Sequence, residues 1–341
     1  MKILIVGPSW VGDMVMAQSL FITLKHVHPD AEIHVLAPAW CGDLLAHMPE
    51  VTAAIEMTVG HGELGLGKRR ALARQLKAQH FDQAIVLPNS FKSALVPWFA
   101  DIPVRTGWRG EARSWLLNDC RVLDKQAYPL MVQRFVALAL PAGQPLPDPL
   151  PYPALAVQDT DIQATLKRLA LSRDKPVLVL CPGAEFGEAK KWPASHYAEV
   201  ATSWLQQQQG QVWILGSKND HADAQAIKDS VPGASVAHCH NLAGTTTLAE
   251  ALFLMACADM VISNDSGLMH IGAALARPLV VVYGSTSPAF TPPLADRVQS
   301  VSLKLECSPC FKRLCPLGHT NCLKQLEPGR VLDAVSILDN P

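Results

Sequence analysis

Three stretches carry residues suited to chemistry, and each lies where an apolar run gives way to glycine. In PSWVGDM (8–14), Asp13 follows Gly12 at the head of a helical stretch. A dinucleotide turn needs G-x-G-x-x-G there, and the stretch does not have it. The turn also lacks a basic residue, so it suits an acceptor hydroxyl better than a phosphate. Asp13 then reads as a general base, or more plainly as a helix-start carboxylate favoured by the dipole. Trp10 beside it would wall a sugar site or pack the turn. In PGAEFGEAKKWP (182–193), two glycines with Lys190 and Lys191 suit a phosphate-holding loop, the alternative being an ordinary strand-to-helix connection. In SNDSGLMH (263–270), Asp265 and Ser266 end a strand, and Gly267 admits close approach. His270 falls four residues after Ser266, on the same helix face. Such a helix start is an anion site through its free N–H groups, although Asp265 and Ser266 also suit simple capping.

A fourth cluster, CSPCFKRLCPLGHTNC, places Cys307, Cys310, Cys315 and Cys322 in a C-x2-C-x4-C-x6-C spacing, with His319 inside. Four thiolates this close suit a structural zinc or iron–sulfur site, or stay as free thiols. The second C-x2-C of a zinc ribbon is missing. The other five cysteines are scattered and read as reduced core residues.

Apolar strands alternating with amphipathic helices must position these residues. Strands are expected at 2–7, 32–38 and 82–88, then at 176–183, 211–217, 260–265 and 278–285. Between the two sets, residues 141–153 hold six prolines, a linker composition. The reading is two doubly wound α/β domains of parallel sheet, 1–150 and 151–341, with the final helix packing back on the first. In such sheets ligands bind beyond the carboxyl ends of the strands, here expected to face one central cleft.

The 341 residues suffice for two cores. Hydrophobic residues at 49% and charged residues at 17% exclude a disordered chain. Mean hydropathy is +0.15, yet no uncharged apolar run is long enough to span a bilayer. The opening MKILIVG is too short for a signal peptide, so a cytoplasmic protein is expected. The net charge of −1 gives no reason to expect nucleic acid. Residues 68–134, however, carry twelve Lys and Arg against five Asp and Glu, a local excess of +7. That is either a solvated face or a site for an anionic partner or membrane surface.

The blocks WVGD, VLPNSFKSALVPWFA, RTGWRGE, PGAEFGEAKKWP, NDSGLMH and VVYGSTSPAFTPP, in this order from Lys2 to about Pro293, resemble the ADP-heptose:lipopolysaccharide heptosyltransferases. The resemblance implies the GT-B fold, two Rossmann-like domains, and inverting transfer with no metal or other cofactor required. No D-x-D metal motif stands in a suitable loop. It implies ADP-heptose as donor and heptosyl-Kdo2-lipid A as acceptor, at the inner face of the inner membrane. Asp13 would be the base, with Lys190 stabilising the departing ADP. Glu185, Asp220, Asp265, Ser266, Gly267 and His270 would bind the donor. Trp10, Lys92, Arg105, Trp108, Arg109 and Arg113 would meet the anionic sugar acceptor. A sibling transferase with another acceptor, or a non-catalytic nucleotide- or glycan-binding protein on this scaffold, are the alternatives.

Overall fold

The structure is a computed structural model, described for residues 1–60 and 62–339. The chain divides into two compact units, Met1–Leu155 and Ala156–Pro341.

In the first unit, β1 (Lys2–Val6), β2 (Glu32–Ala37), β3 (Val51–Glu56), β4 (Gln83–Val86), β5 (Val104–Trp108) and β6 (Asp119–Arg121) form one sheet in the order β3-β2-β1-β4-β5-β6. All its pairings are parallel. The central strands are continuous apolar runs because helices cover both faces. Ile3, Leu4 and Ile5 are fully buried. The helices are α1 (Val11–Val27), α2 (Cys41–Leu45), α3 (Leu66–Lys77), α4 (Leu95–Phe99) and α5 (Met131–Ala139). Helix α1 starts where the Trp10 carbonyl accepts the Met14 N–H, and stops before Pro29, which cannot continue it. The proline-rich segment is pinned at its end. Gln18 on α1 donates to the Ala154 carbonyl at 2.7 Å and accepts the Ala154 N–H at 3.0 Å.

The second unit repeats the design. Strands β7 (Val177–Cys181), β8 (Gln211–Ile214), β9 (Cys239–Asn241), β10 (Met260–Asn264), β11 (Leu279–Val282) and β12 (Val298–Val301) run parallel in the order β12-β11-β10-β7-β8-β9. Counted from its first strand, this is the first unit's order again. Helices α6 (Asp159–Leu169), α7 (Ala194–Gln207), α8 (His221–Asp229), α9 (Leu248–Ala256), α10 (Gly267–Ala274), α11 (Asn321–Lys324) and α12 (Pro328–Asp339) surround it.

The closing helix α12 belongs to the core of the second unit. Its Val331, Ala334, Val335 and Leu338 sit in the second unit's core, against α7, β11 and β12. Five strands escaped the sequence reading. β3 alternates exposed with half-buried positions, while β6, β9 and β12 lie at or beside the sheet edges and are three or four residues long. β5 holds an arginine and a glycine. None presents the buried apolar run of a central strand.

Candidate active site

In both sheets the side on which successive strands are added switches between the first and fourth strands of the unit, β1/β4 and β7/β10. Such switch points hold ligands in open α/β sheets, because the connections diverge there and leave a crevice at the strand ends. Three of these four ends, those of β1, β7 and β10, carry the glycine-bearing stretches singled out by residue type.

In the second unit, the loop after β7 carries Lys190 in a short 3-10 turn, Glu188–Lys190. The loop after β10 carries Asp265 and Ser266 ahead of α10. The Lys190 ammonium donates to the Asp265 carboxylate at 2.7 Å, with side chains only 14% and 5% exposed. It also lies 3.3 Å from the Asp265 carbonyl and 4.9 Å above the Phe186 ring. Gly187, at φ +147, lets the turn form. A side chain there would also meet the Arg313 carbonyl at 2.5 Å, and that same carbonyl accepts the Ala189 N–H. Ser266 caps α10 in extended conformation without a side-chain hydrogen bond to the helix. Burial drives the His270 pKa down from 6.5 to about 4, reinforced by Lys190 and opposed by Asp265. The imidazole is therefore neutral at pH 7, a polar group rather than a cation. Glu185 is exposed in the loop.

Asp220 has a different place from the one expected. It is buried, and its Oδ2 accepts the Ser217 N–H at 2.8 Å and the Ser217 hydroxyl at 2.7 Å. Its oxygens press on Gly183, where a Cβ would lie 2.5 Å away. Buried, the carboxylate caps the 217–220 turn and packs against Gly183 in the β7 loop. Asn264 was missed, although it stands inside the SNDSG stretch. Its amide donates to the Pro182 carbonyl at 2.5 Å, and its Oδ1 accepts from the Tyr197 hydroxyl at 3.0 Å and the Trp192 N–H at 3.2 Å. This buried amide ties both ends of the Lys190 loop to β10. The hydroxyls of Ser285 and Thr286, after β11, are buried without a hydrogen-bond partner.

In the first unit, Asp13 occupies the first turn of α1 and is half-buried, with Trp10 exposed before it. Lys92 is half-buried in the loop after β4, and Arg109 is exposed after β5. The remaining acceptor-side candidates are corrected. Trp108 is buried, and its indole N–H donates to the Arg134 carbonyl at 3.0 Å, so neither ring face is open to a sugar. Arg113 is fully buried. Its guanidinium donates to the carbonyls of Pro88, Ser90 and Trp108 and to the side chains of Asn89 and Ser93. Burial pulls its pKa down to about 10, leaving it charged at pH 7. Arg105 donates to the Leu116 and Ile102 carbonyls. Both arginines shape backbone loops and are not aimed at a ligand.

The four clustered cysteines line one small cavity with His319. Among the described residues, however, no group of three or more His, Cys, Asp or Glu side chains is arranged to hold a metal ion. The expected structural zinc or iron–sulfur site is thus not supported. Backbone N–H groups of residues 317–320 surround the Cys315 sulfur instead and lower its pKa. The segment braces the neighbouring loops: the Phe311 N–H donates to the Ser285 carbonyl at 2.7 Å, and the Arg313 guanidinium lies 5.5 Å over Phe186.

Residues 69–321 match the model of glycosyltransferase family 9 (heptosyltransferase). The chain belongs to this family. Lipopolysaccharide heptosyltransferase 2 of Escherichia coli (strain K12) is 49% identical over 343 residues, covering 99% of this chain and 98% of the relative. Lipooligosaccharide heptosyltransferase 2 of Haemophilus ducreyi is 49% identical over 350 residues, covering 99% of each. The solved ADP-heptose LPS heptosyltransferase II of E. coli superposes with a TM-score of 0.89 at 47% identity, over 99% of this chain and 98% of that one. The two-sheet architecture is the GT-B fold of these heptosyltransferases, and the protein is a glycosyltransferase.

Proposed function

We propose that the protein is an inverting heptosyltransferase of the lipopolysaccharide inner core. It moves L-glycero-D-manno-heptose from ADP-heptose onto the heptose of heptosyl-Kdo2-lipid A. The observation that carries the site assignment is the Lys190–Asp265 pair at the start of α10. A diphosphate leaving group needs positive charge and N–H donors where its own charge grows. A lysine held beside a helix N-terminus supplies both without a metal. The N–H groups of Ser266 and Gly267 would meet the diphosphate, with Asp265, neutral His270 and Glu185 completing the donor site.

On the first unit, Asp13 would accept the acceptor hydroxyl proton as the new C–O bond forms and the bond to ADP breaks. Its place in the first turn of α1 sets the carboxylate at the positive end of the helix dipole. Trp10, Lys92 and Arg109 are the acceptor contacts this reading retains. The acceptor is a lipid, so the enzyme works as a peripheral protein at the anionic cytoplasmic face of the inner membrane. Among the described residues no helix is long and apolar enough to cross a membrane.

Incubation with ADP-heptose and purified heptosyl-Kdo2-lipid A, read by mass spectrometry, tests the reading. Addition of one heptose is expected. No addition to this acceptor, with transfer to Kdo2-lipid A instead, would reassign it as a sibling transferase. ADP binding without any turnover would make it a non-catalytic binder.

A further inference from the structure

Four aromatic rings form a continuous cluster on the surface of the first unit, and the proposed chemistry uses none of them. Trp115 is 61% exposed and Trp98 36%. Their rings meet edge-on at 5.5 Å between centroids. Phe91 lies 6.0 Å from Trp115, and Phe99 lies 5.0 Å from Trp98. The cluster is assembled from three segments: the turn after β4, helix α4, and the loop between β5 and β6. Exposed tryptophans gathered this way mark an interaction surface more than stray apolar residues do.

The border of the cluster is basic. Helix α3 packs beside α4, and the Arg70 guanidinium lies 4.9 Å over the Phe99 ring. Leu66, Arg70 and Arg74 fall four residues apart on α3, so they share one face, and all three are exposed. Lys77, one turn further on, is exposed as well, and α3 contains no acidic residue. Carboxylates of these segments are engaged: Asp101 pairs with Lys77, Glu63 with Lys68, and Glu111 accepts the Phe91 N–H. The surface is therefore tryptophan-centred and arginine-bordered.

We propose that this face of α3, α4 and Trp115 docks the protein on an anionic bilayer. The inference rests on the reading above that the acceptor is a membrane lipid. Indole rings settle at the headgroup level, where an apolar body meets a polar boundary. Arginines around them attract anionic headgroups. Charge selects the occupant, because a neutral apolar partner would leave Arg70 and Arg74 uncompensated.

Flotation with phosphatidylcholine vesicles, with and without phosphatidylglycerol, tests the proposal. The intact protein should bind the phosphatidylglycerol vesicles, and binding should fall as salt rises. The variant W98A/W115A should bind about tenfold more weakly. R70E/R74E, a fold-sparing surface change, should abolish the preference for anionic vesicles. Both variants should keep normal transfer to a deacylated, soluble acceptor while losing transfer to the acylated acceptor embedded in vesicles. Vesicle binding that is absent, or unchanged in both variants, overturns the proposal. So does a dimer that W98A/W115A dissolves without any vesicle binding, which would make the surface a contact between copies. Loss of transfer to the soluble acceptor in either variant also overturns it, since the rings would then hold the acceptor itself. Failure of the intact protein to use the soluble acceptor would instead count against the proposed reaction.

Discussion

Lys190 and Asp265 lie 75 positions apart in the chain, yet their side chains meet at 2.7 Å where β7 and β10 end side by side. The parallel pairing of those strands brings both loops to one edge of the sheet. The pair is nearly dry, and removing one member strands the other charge. Asp265→Ala is expected to cost about 3 kcal/mol of stability, read from urea unfolding. K190M/D265N should recover most of that stability while staying inactive, because a neutral pair leaves no buried charge and no cation for the diphosphate.

Lys190→Ala alone should lower kcat by about a hundredfold or more, the usual effect of removing one preorganised charge from a developing anion. A steady-state assay with varied ADP-heptose checks this. A change confined to KM, with kcat intact, would restrict Lys190 to ground-state binding.

Asp13→Asn should lower kcat by about a hundred- to ten-thousandfold while leaving ADP affinity unchanged by calorimetry. The substitution keeps the size of the side chain and removes its basicity. Near-normal turnover would refute the base assignment.

Two of the three arginines in the RTGWRGEAR stretch, Arg109 and Arg113, should part company. Arg109 is exposed, and Arg109→Ala is expected to raise the acceptor KM several-fold without changing Tm. Arg113 donates to three backbone carbonyls and two side chains inside the unit, and Arg113→Met removes all of those bonds. Its cost should be about 3 kcal/mol or more, visible as a drop in Tm whatever the substrate.

His270 gives the stability a pH signature. Its folded pKa, about 4, lies below the ordinary 6.5. Between those values the unfolded chain binds a proton that the folded chain refuses, so stability is lost as pH falls through that window and is fully present above it. Two other histidines, buried His34 and half-buried His240, are depressed in the same direction. The difference between wild type and His270→Gln isolates this one. The variant should lose about 1.4 kcal/mol less per pH unit between pH 6.5 and about 4.

Much of this was legible along the chain because it is encoded locally. KILIV, VLVLC and MVISN are buried on both faces and read as central parallel strands without any knowledge of their neighbours. The glycine-bearing turns after them marked Asp13, Lys190 and the NDSG stretch, and strand–helix alternation with a proline-rich break announced two α/β units. Neither pattern nor spacing carries the environment of a side chain after folding. Arg109 and Arg113 look alike in sequence, yet one is solvated and the other lies among carbonyls that β4 and β5 bring together. Asp220 read as a donor-binding carboxylate, yet it is buried and accepts from the Ser217 N–H and hydroxyl. Four cysteines in a metal-like spacing did not converge on a metal geometry. A guanidinium or a carboxylate takes its role from the groups around it, and for Arg113 and Asp265 those come largely from segments 20 to 75 residues away.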